Sequence, residues 1–309
     1  MDLVLAASVL VVIGGSLFRI GEIAGKRFGA KRPGTIQALA AVGILVPVYV
    51  AWNHGSDFRW ATLLPHGGVL LLSNSFAVLM IGSGGLLLGA NRSSRHFGVQ
   101  QQPNDGLQDS LRSQVLSWTL CLAASCFLAF VVLRPALYPI DVAKRSNWQD
   151  GICIQSHDAS CAAAATATLL SHYRITVDEA QMARFCFTSD NGTLALGTFR
   201  GLYAASRGHP VKPRAFLSRQ ASVETLSARL PWLAHVQLDQ RESRPPEPIS
   251  LYGALSEFGP DEGHCVVVLE NLPDDRWLVA DPAVGKVIWP DSYLRSVWNG
   301  EGVYLEKQN

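Results

Sequence analysis

The stretch CIQSHDASCAAAATATLL, residues 153–170, decides how the second half of the chain is read. From Ala162 onward it is a run of small and apolar residues, the composition of a buried helix. The residues just upstream, Gln155, His157, Asp158 and Ser160, are polar, and Ser160 or Asp158 can cap a helix running to about Tyr173. Cys161 then sits in the first turn. A thiol there meets unpaired backbone N–H groups and the positive end of the helix dipole, which favour the thiolate that a nucleophile needs. Most free cysteines are small buried hydrophobes, so Cys161 has to be weighed together with its partners.

Downstream, Thr176–Glu179 reads as a capping box opening a second helix, Thr198–Ser206, closed by Gly208, as a third, and Val223–Arg229 as a fourth. The chain then changes character. WLAHVQL (232–238), HCVVVLE (264–270), RWLVAD (276–281) and KVIW (286–289) are short β-prone runs, with a turn over Asn271–Asp275 between two of them. Helices first and an antiparallel sheet second make an α+β domain. His264 begins one strand of the central hairpin and Asp281 ends the next, so imidazole and carboxylate come side by side. A cysteine and a histidine oriented by a carboxylate form the thiol version of a catalytic triad. In this reading Asp281 accepts from Nδ1–H of His264, which turns Nε2 toward Cys161.

Working outward to the N-terminus, the balance of residues shifts. The chain has 309 residues, 48% hydrophobic and 17% charged, which is too apolar for an average soluble protein. Its net charge of +1 provides no basic field for nucleic acid. Four apolar runs free of Asp, Glu, Lys and Arg lie at roughly Leu3–Phe18, Ile36–Trp52, Gly68–Ala90 and Val115–Leu133. Each approaches the ~20 residues that cross a bilayer. Residues 1–135 are therefore expected to be a transmembrane region of four helical spans, the first of them uncleaved because Met1-Asp2 provides no basic n-region. GSGGLLLGA at 82–90 lies inside a span, where its glycines serve close helix packing, and GxxxxGK[ST] does not occur. GVQQQPNDGLQDS, 98–110, is read as a polar loop.

Basic residues set the orientation. Arg19, Lys26, Arg27, Lys31 and Arg32 follow the first run, and Arg92, Arg95 and Arg112 follow the third, whereas only Arg59 follows the second. The first and third loops are expected to be cytoplasmic. With four spans, both termini and the C-terminal domain then face outward, as expected for a bacterial inner-membrane protein with its domain on the extracytoplasmic side.

Four motifs together resemble a known family. They are Gln155-x5-Cys161 at a helix start, GTFRGLYAASRGHPV at 197–211, HCVVV at 264–268 and ADPAVG at 280–285. In their order and spacing they resemble the C39 cysteine peptidases, papain-like domains that process leader peptides at bacteriocin-exporting ABC transporters. The resemblance covers roughly residues 148–305 and sets a peptidase domain at 145–309. It implies that Cys161 is the nucleophile, His264 the general base and then acid, and Asp281 the group that orients His264. It also implies that Gln155 and the Cys161 backbone N–H donate to the oxyanion, where losing one donor typically costs ~10²–10³-fold in rate. Ala162 stands where the family usually has Gly.

The expected activity is hydrolysis of peptide bonds by a membrane-anchored thiol peptidase. Its expected partners are a peptide or leader-peptide substrate, the lipid bilayer and a separate transporter. The mechanism needs no metal, nucleotide or organic cofactor. Two rivals use the same residues: a papain-like module that binds a leader without cutting it, and a thiol acyltransferase or amidase.

The other cysteines read as structural. Cys121 and Cys126 are packing residues of the fourth run, and Cys153-x3-His157-x3-Cys161 lacks the fourth ligand of a zinc site. Strand alternation turns Cys265 away from His264 and into the core. Cys153 and Cys186 could pair as a disulfide if the domain lies outside the cytoplasm. The segment between Leu238 and His264, with RPPEP inside it, reads as a long loop, either a lid or a substrate edge.

Overall fold

The structure, a computed structural model, describes residues 2–29, 31, 33–54, 58–73, 75–96, 103–218, 221–237 and 263–308. It divides into two bodies, Met1–Ser56 with Gly68–Leu133, and Asp57–Gly67 with Arg134–Asn309.

Among the described residues the first body is built on four long helices: α1 (Asp2–Phe28), α2 (Pro33–His54), α5 (Val78–His96) and α6 (Pro103–Leu137), the last continuing into the second body. Short α3 (Arg59–Leu63) belongs to the second body and α4 (Val69–Leu72) to the first. The helices outrun the apolar runs, so Arg19, Lys26 and Arg27 lie within α1 and Arg92 and Arg95 within α5, where loops were expected. The third expected span is not one helix. It breaks after α4, where the Ser73 hydroxyl donates to the Leu70 carbonyl, and α5 begins at Val78. The polar loop is also shorter than expected: α6 starts at Pro103, a residue suited to a first helical turn, and 98–102 lie outside the described residues.

Glycines hold α1 against α5. A Cβ on Gly85 would collide with the Phe18 carbonyl, one on Gly89 with the Glu22 carbonyl and one on Gly25 with the Leu86 carbonyl, so the two backbones touch. Glu22 is buried beside this seam and ion-paired with Lys26 at 2.9 Å, Arg19 at 3.2 Å and Arg92. The outer faces carry apolar side chains such as Val11, Leu45 and Trp118. Among the described residues one stretch, Leu3–Phe28, is long and apolar enough to cross a membrane, and Thr35–Val50 and Gln114–Phe130 are shorter apolar helices.

The second body has helices first and sheet second, as the α+β reading expects. A two-stranded ribbon, β1 (Asn147–Gln149) and β2 (Ile152–Ile154), precedes α7 (Cys161–Ser171), α8 (Glu179–Cys186) and α9 (Ala195–Ala205). The main sheet contains β3 (Val211–Leu217), β4 (Trp232–Gln237), β5 (Gly263–Leu272), β6 (Arg276–Asp281), β7 (Gly285–Pro290) and β8 (Trp298–Lys307). Its order is β3-β8-β4-β5-β6-β7 and each pairing is antiparallel. Two short helices, α10 (Val223–Ser227) and α11 (Asp291–Val297), pack Leu226 and Leu294 into the core on one sheet face, with Trp232, Trp277 and Trp298. The opposite face receives α7, which is buried from Ala162 to Leu170. Its alanines let the helix lie close to β5 and β4.

Several local expectations needed correction. α7 ends at Ser171, and neither Ser160 nor Asp158 caps it through a side chain. A 3₁₀ turn, Asp158–Ser160, precedes it, capped by His157, whose Nδ1 accepts from Ala159 N–H while Ser160 Oγ donates to the His157 carbonyl. The capping box at Thr176 is not formed: Asp178 is the N-cap of α8 without a side-chain bond, and Glu179 donates its N–H to Ser146 Oγ. Strands β3 and β8 went unread because β3 contains Pro213 and β8 contains Gly300 and Gly302. Both fit their places. Pro213 lies on an edge strand, and a Cβ on Gly302 would strike the Phe216 ring. Of the RPPEP loop, 238–262 lie outside the described residues.

Candidate active site

Cys161 is the first residue of α7 and partly exposed. The helix directs its free N–H groups and positive dipole end toward the sulfur. The Cys265 thiol first, and then the hydrogen bond and charge of His264, hold Cys161 well below the ordinary thiol range against burial, which works the other way. Cys265 is pushed the other way, well above that range, by its bond to Cys161 and by burial. It stays a thiol and donates. Alternation does bury Cys265, as expected, and from the core its thiol bears on the titration of Cys161.

His264 and Asp281 come together through the β5–β6 hairpin. Its register pairs Val267 with Ala280, and the tight turn rests on Asp274 and Asp275, both at positive φ. The strand ends therefore meet, and His264 Nε2 lies 2.9 Å from Asp281 Oδ1 with both side chains largely buried. The ring is turned opposite to expectation: Nε2 faces the carboxylate, which leaves Nδ1 for the sulfur. Asp281 is itself fixed, since Ala283 N–H donates to Oδ1 at 2.8 Å and Gly285, at φ +94°, closes the turn to β7. Burial works against the His264 cation, but hydrogen bonds to Asp281 and Cys161, with the charges of both, outweigh it and raise the imidazole to about 10. Both shifts favour the charged forms, thiolate and imidazolium.

Gln155 directly follows β2. Its backbone N–H donates to the Pro282 carbonyl at 2.8 Å, tying it to the turn after Asp281. Its side-chain nitrogen makes two long bonds, 3.2 Å to the His157 carbonyl and 3.3 Å to that of Asp158, and Oε1 is buried without a hydrogen-bond partner. The amide is thus held against the turn that leads into Cys161. The next residue is anchored as well, since Ser156 N–H donates to Glu179 Oε1 at 2.9 Å. Glu179 is fully buried.

The remaining candidates fall elsewhere. All six cysteines are free, so Cys153 and Cys186 do not form the disulfide considered from the sequence. Burial, reinforced by the Glu179 charge, pushes Cys153 up to about 12, and burial does the same to Cys186. His157 is used as a cap, and its Nε2 stands 3.5 Å from Asp190 Oδ1. Sequence reading missed His235, which lies opposite Cys265 in the β4–β5 register and 3.7 Å from its sulfur. The signal was present: a histidine inside the apolar run WLAHVQ.

No family model matches the chain, and no curated protein matches it. Solved structures do. The peptidase domain of Streptococcus ComA, described as a bifunctional ABC transporter of a quorum-sensing pathway, is 20% identical, covering 51% of this chain and 98% of its own, with a TM-score of 0.38. A double-glycine-motif protease from an AMS/PCAT transporter, solved with a leader peptide, is 19% identical over 55% of this chain and 99% of its own, with a TM-score of 0.37. The peptidase domain of Streptococcus mutans ComA is 17% identical over 50% and 98%, with a TM-score of 0.35.

Proposed function

We propose that the chain is a membrane-anchored cysteine peptidase of C39 type, whose second body hydrolyses peptide bonds through Cys161, His264 and Asp281. The observation that carries this reading is the buried 2.9 Å contact of His264 with Asp281, beside a helix-start cysteine whose thiol is held low while the imidazole is held high. In this mechanism the Cys161 thiolate attacks the peptide carbonyl carbon, and negative charge gathers on its oxygen. The Cys161 N–H and the Gln155 amide receive that oxygen, an anion being a stronger acceptor than the carbonyls that hold Gln155 at rest. The His264 imidazolium then gives its proton to the departing amine as the C–N bond breaks. Water, deprotonated by the neutral imidazole, attacks the thioester and releases the acid and Cys161.

The membrane part of the proposal is that α1, α2, the α4–α5 segment and α6 are four spans. Outward-facing apolar side chains and a glycine-sealed interior support it, because lipid reverses the solvent preference of a helix bundle. Four spans put the loop after α2 and the chain after α6 on the same side of the bilayer. Charge distribution makes that side extracytoplasmic. A reporter active only in the cytoplasm, fused after Asn309, should stay silent, and strong activity there would reverse the orientation.

The function is tested with purified full-length protein in detergent and a library of peptides, looking for new termini. Wild type should generate them, whereas Cys161→Ala and His264→Ala should each lose more than ~10³-fold and the double variant no more, because the two act as one unit. Binding without cleavage by wild type would leave only the non-catalytic reading, and acyl transfer without peptide hydrolysis would point to the transferase.

A further inference from the structure

The Gln155 side chain is held only loosely by its own contacts, since Nε2 makes two long bonds, 3.2 and 3.3 Å, to carbonyls of the adjoining turn. Where the amide points is therefore set by the backbone. Two peptide planes meet at the Gln155 Cα, and each is pinned by one hydrogen bond. The plane before it is held by Gln155 N–H, which donates to the Pro282 carbonyl at 2.8 Å in the turn after Asp281. The plane after it is held by Ser156 N–H, which donates to Glu179 Oε1 at 2.9 Å. Because each peptide is planar, these two bonds together fix φ and ψ of Gln155 and so the direction of its Cα–Cβ bond. Glu179 is a costly residue to use for this. It is the first residue of α8, its relative exposure is 0%, and among the described residues its Oε2 has no hydrogen-bond partner. A carboxylate taken out of water with one oxygen unpaired lowers stability. What it supplies is an acceptor that cannot move: its own N–H donates to Ser146 Oγ at 2.6 Å, and α8 packs on α7 and α9.

We propose that Glu179 is a positioning residue for peptide hydrolysis, acting through the Ser156 N–H to aim the Gln155 amide at the oxyanion. The proposal rests on the reading of Gln155 as an oxyanion donor given above. Glu179 touches no reacting atom. Without its acceptor the Gln155 Cα is held from one side only, by the bond to Pro282, and the side chain can swing about the N–Cα bond. Nε2 lies at the far end of that side chain, where a small rotation has its largest displacement. Misplacing a reacting or stabilising group by ~1 Å can cost ~10²-fold in rate, so a donor that keeps one of its two backbone anchors should lose less, about tenfold. The loss should fall on kcat, because the amide is asked to stabilise charge that exists only as the carbonyl is attacked.

The experiment measures kcat and KM of the full-length protein in detergent on a library peptide that wild type cleaves, beside the alkylation rate of Cys161 with iodoacetamide at pH 6, followed by peptide mass spectrometry. Alkylation is a direct displacement in which the thiolate sulfur bonds to the reagent's methylene carbon and iodide leaves. No oxyanion forms, so this rate reports the thiolate alone. Glu179→Met keeps the volume without an oxygen and should lower kcat about tenfold, with KM and the alkylation rate as in wild type. Glu179→Gln keeps an acceptor for Ser156 N–H and should stay within about twofold of wild type. Glu179→Asp draws the carboxylate back by one methylene, should fold even if Glu179→Met does not, and should lose about threefold in kcat. In a Gln155→Ala background, where the amide is already gone, Glu179→Met should lower kcat no further. Wild-type kcat in both Glu179→Met and Glu179→Asp would overturn the proposal, and so would the full tenfold loss repeated in the Gln155→Ala background or an equal loss in alkylation, either of which would make Glu179 a residue of the fold alone. An unchanged kcat in Gln155→Ala by itself would instead remove the oxyanion reading, and no cleavage by wild type would remove the peptidase reading, each taking this proposal with it.

Discussion

The two bodies use opposite faces of the same residue types. In the helical body, apolar side chains point outward, with Val11 73% and Trp118 66% exposed, and the interior is sealed by glycines that bring backbones into contact. In the sheet body, Trp232 and Trp277 are fully buried. A helix bundle in water gains stability by hiding large side chains. A bundle in lipid gains nothing that way and relies on close packing of small residues, and under the proposed topology the glycine contacts of α1 with α5 and the pairing of Glu22 with Lys26, Arg19 and Arg92 serve that end. The comparison teaches that changes in the two bodies should register in different observables: rate constants for the sheet body, bundle stability for the helical one.

The largest test of that division is Gln155→Ala. It removes a proposed oxyanion donor and should lower kcat by ~10²–10³-fold. The melting temperature of the helical body should not move. A loss confined to KM would make Gln155 a binding residue.

The next is pH dependence. His264 is raised from 6.5 to about 10, so its imidazolium persists through neutral pH and is lost as pH rises through about 10. Cys161 is lowered well below 9, so the thiolate is lost only as pH falls well below that value. The kcat/KM profile should therefore hold across neutral pH and fall above about 10. Asp281→Ala removes a group that raises His264, so the alkaline fall should move to lower pH, with a rate loss of about 10²-fold. Asp281→Asn keeps an acceptor for the Nε2 proton and should lose less than about tenfold. An unmoved alkaline fall in Asp281→Ala would assign that limb to another group.

The smallest effects are expected in the helical body. Gly89→Ala puts a methyl into the Glu22 carbonyl and should cost about 1–3 kcal/mol in detergent unfolding. Gly15→Ala, where nothing lies within 4 Å of the added methyl, should be neutral or stabilise by up to about 1 kcal/mol through helix propensity. Neither should change the alkylation rate of Cys161. Equal behaviour of the two glycine variants would mean that the α1–α5 seam is not a backbone contact.

What the sequence determined by itself is local and periodic. Apolar runs predicted the long helices, the alanines after Cys161 predicted α7, β-prone runs placed β4 to β7, and the motif order singled out Cys161, His264, Asp281 and Gln155. Such patterns are legible because neighbours at i+2 or i+4 share a face whatever the rest of the chain does. Tertiary structure decided the rest. Which ring nitrogen of His264 meets Asp281 depends on how two strand ends cross. That Cys265, though in the core, bears on Cys161 depends on how deep α7 settles on the sheet. The breaks that hid β3 and β8, Pro213 and Gly302, make sense only once an edge strand and the Phe216 ring are in place. The bond from Ser156 to Glu179 joins residues that no periodicity relates, because packing between distant segments is selected by shape and burial over the whole fold and leaves no local signature in either segment.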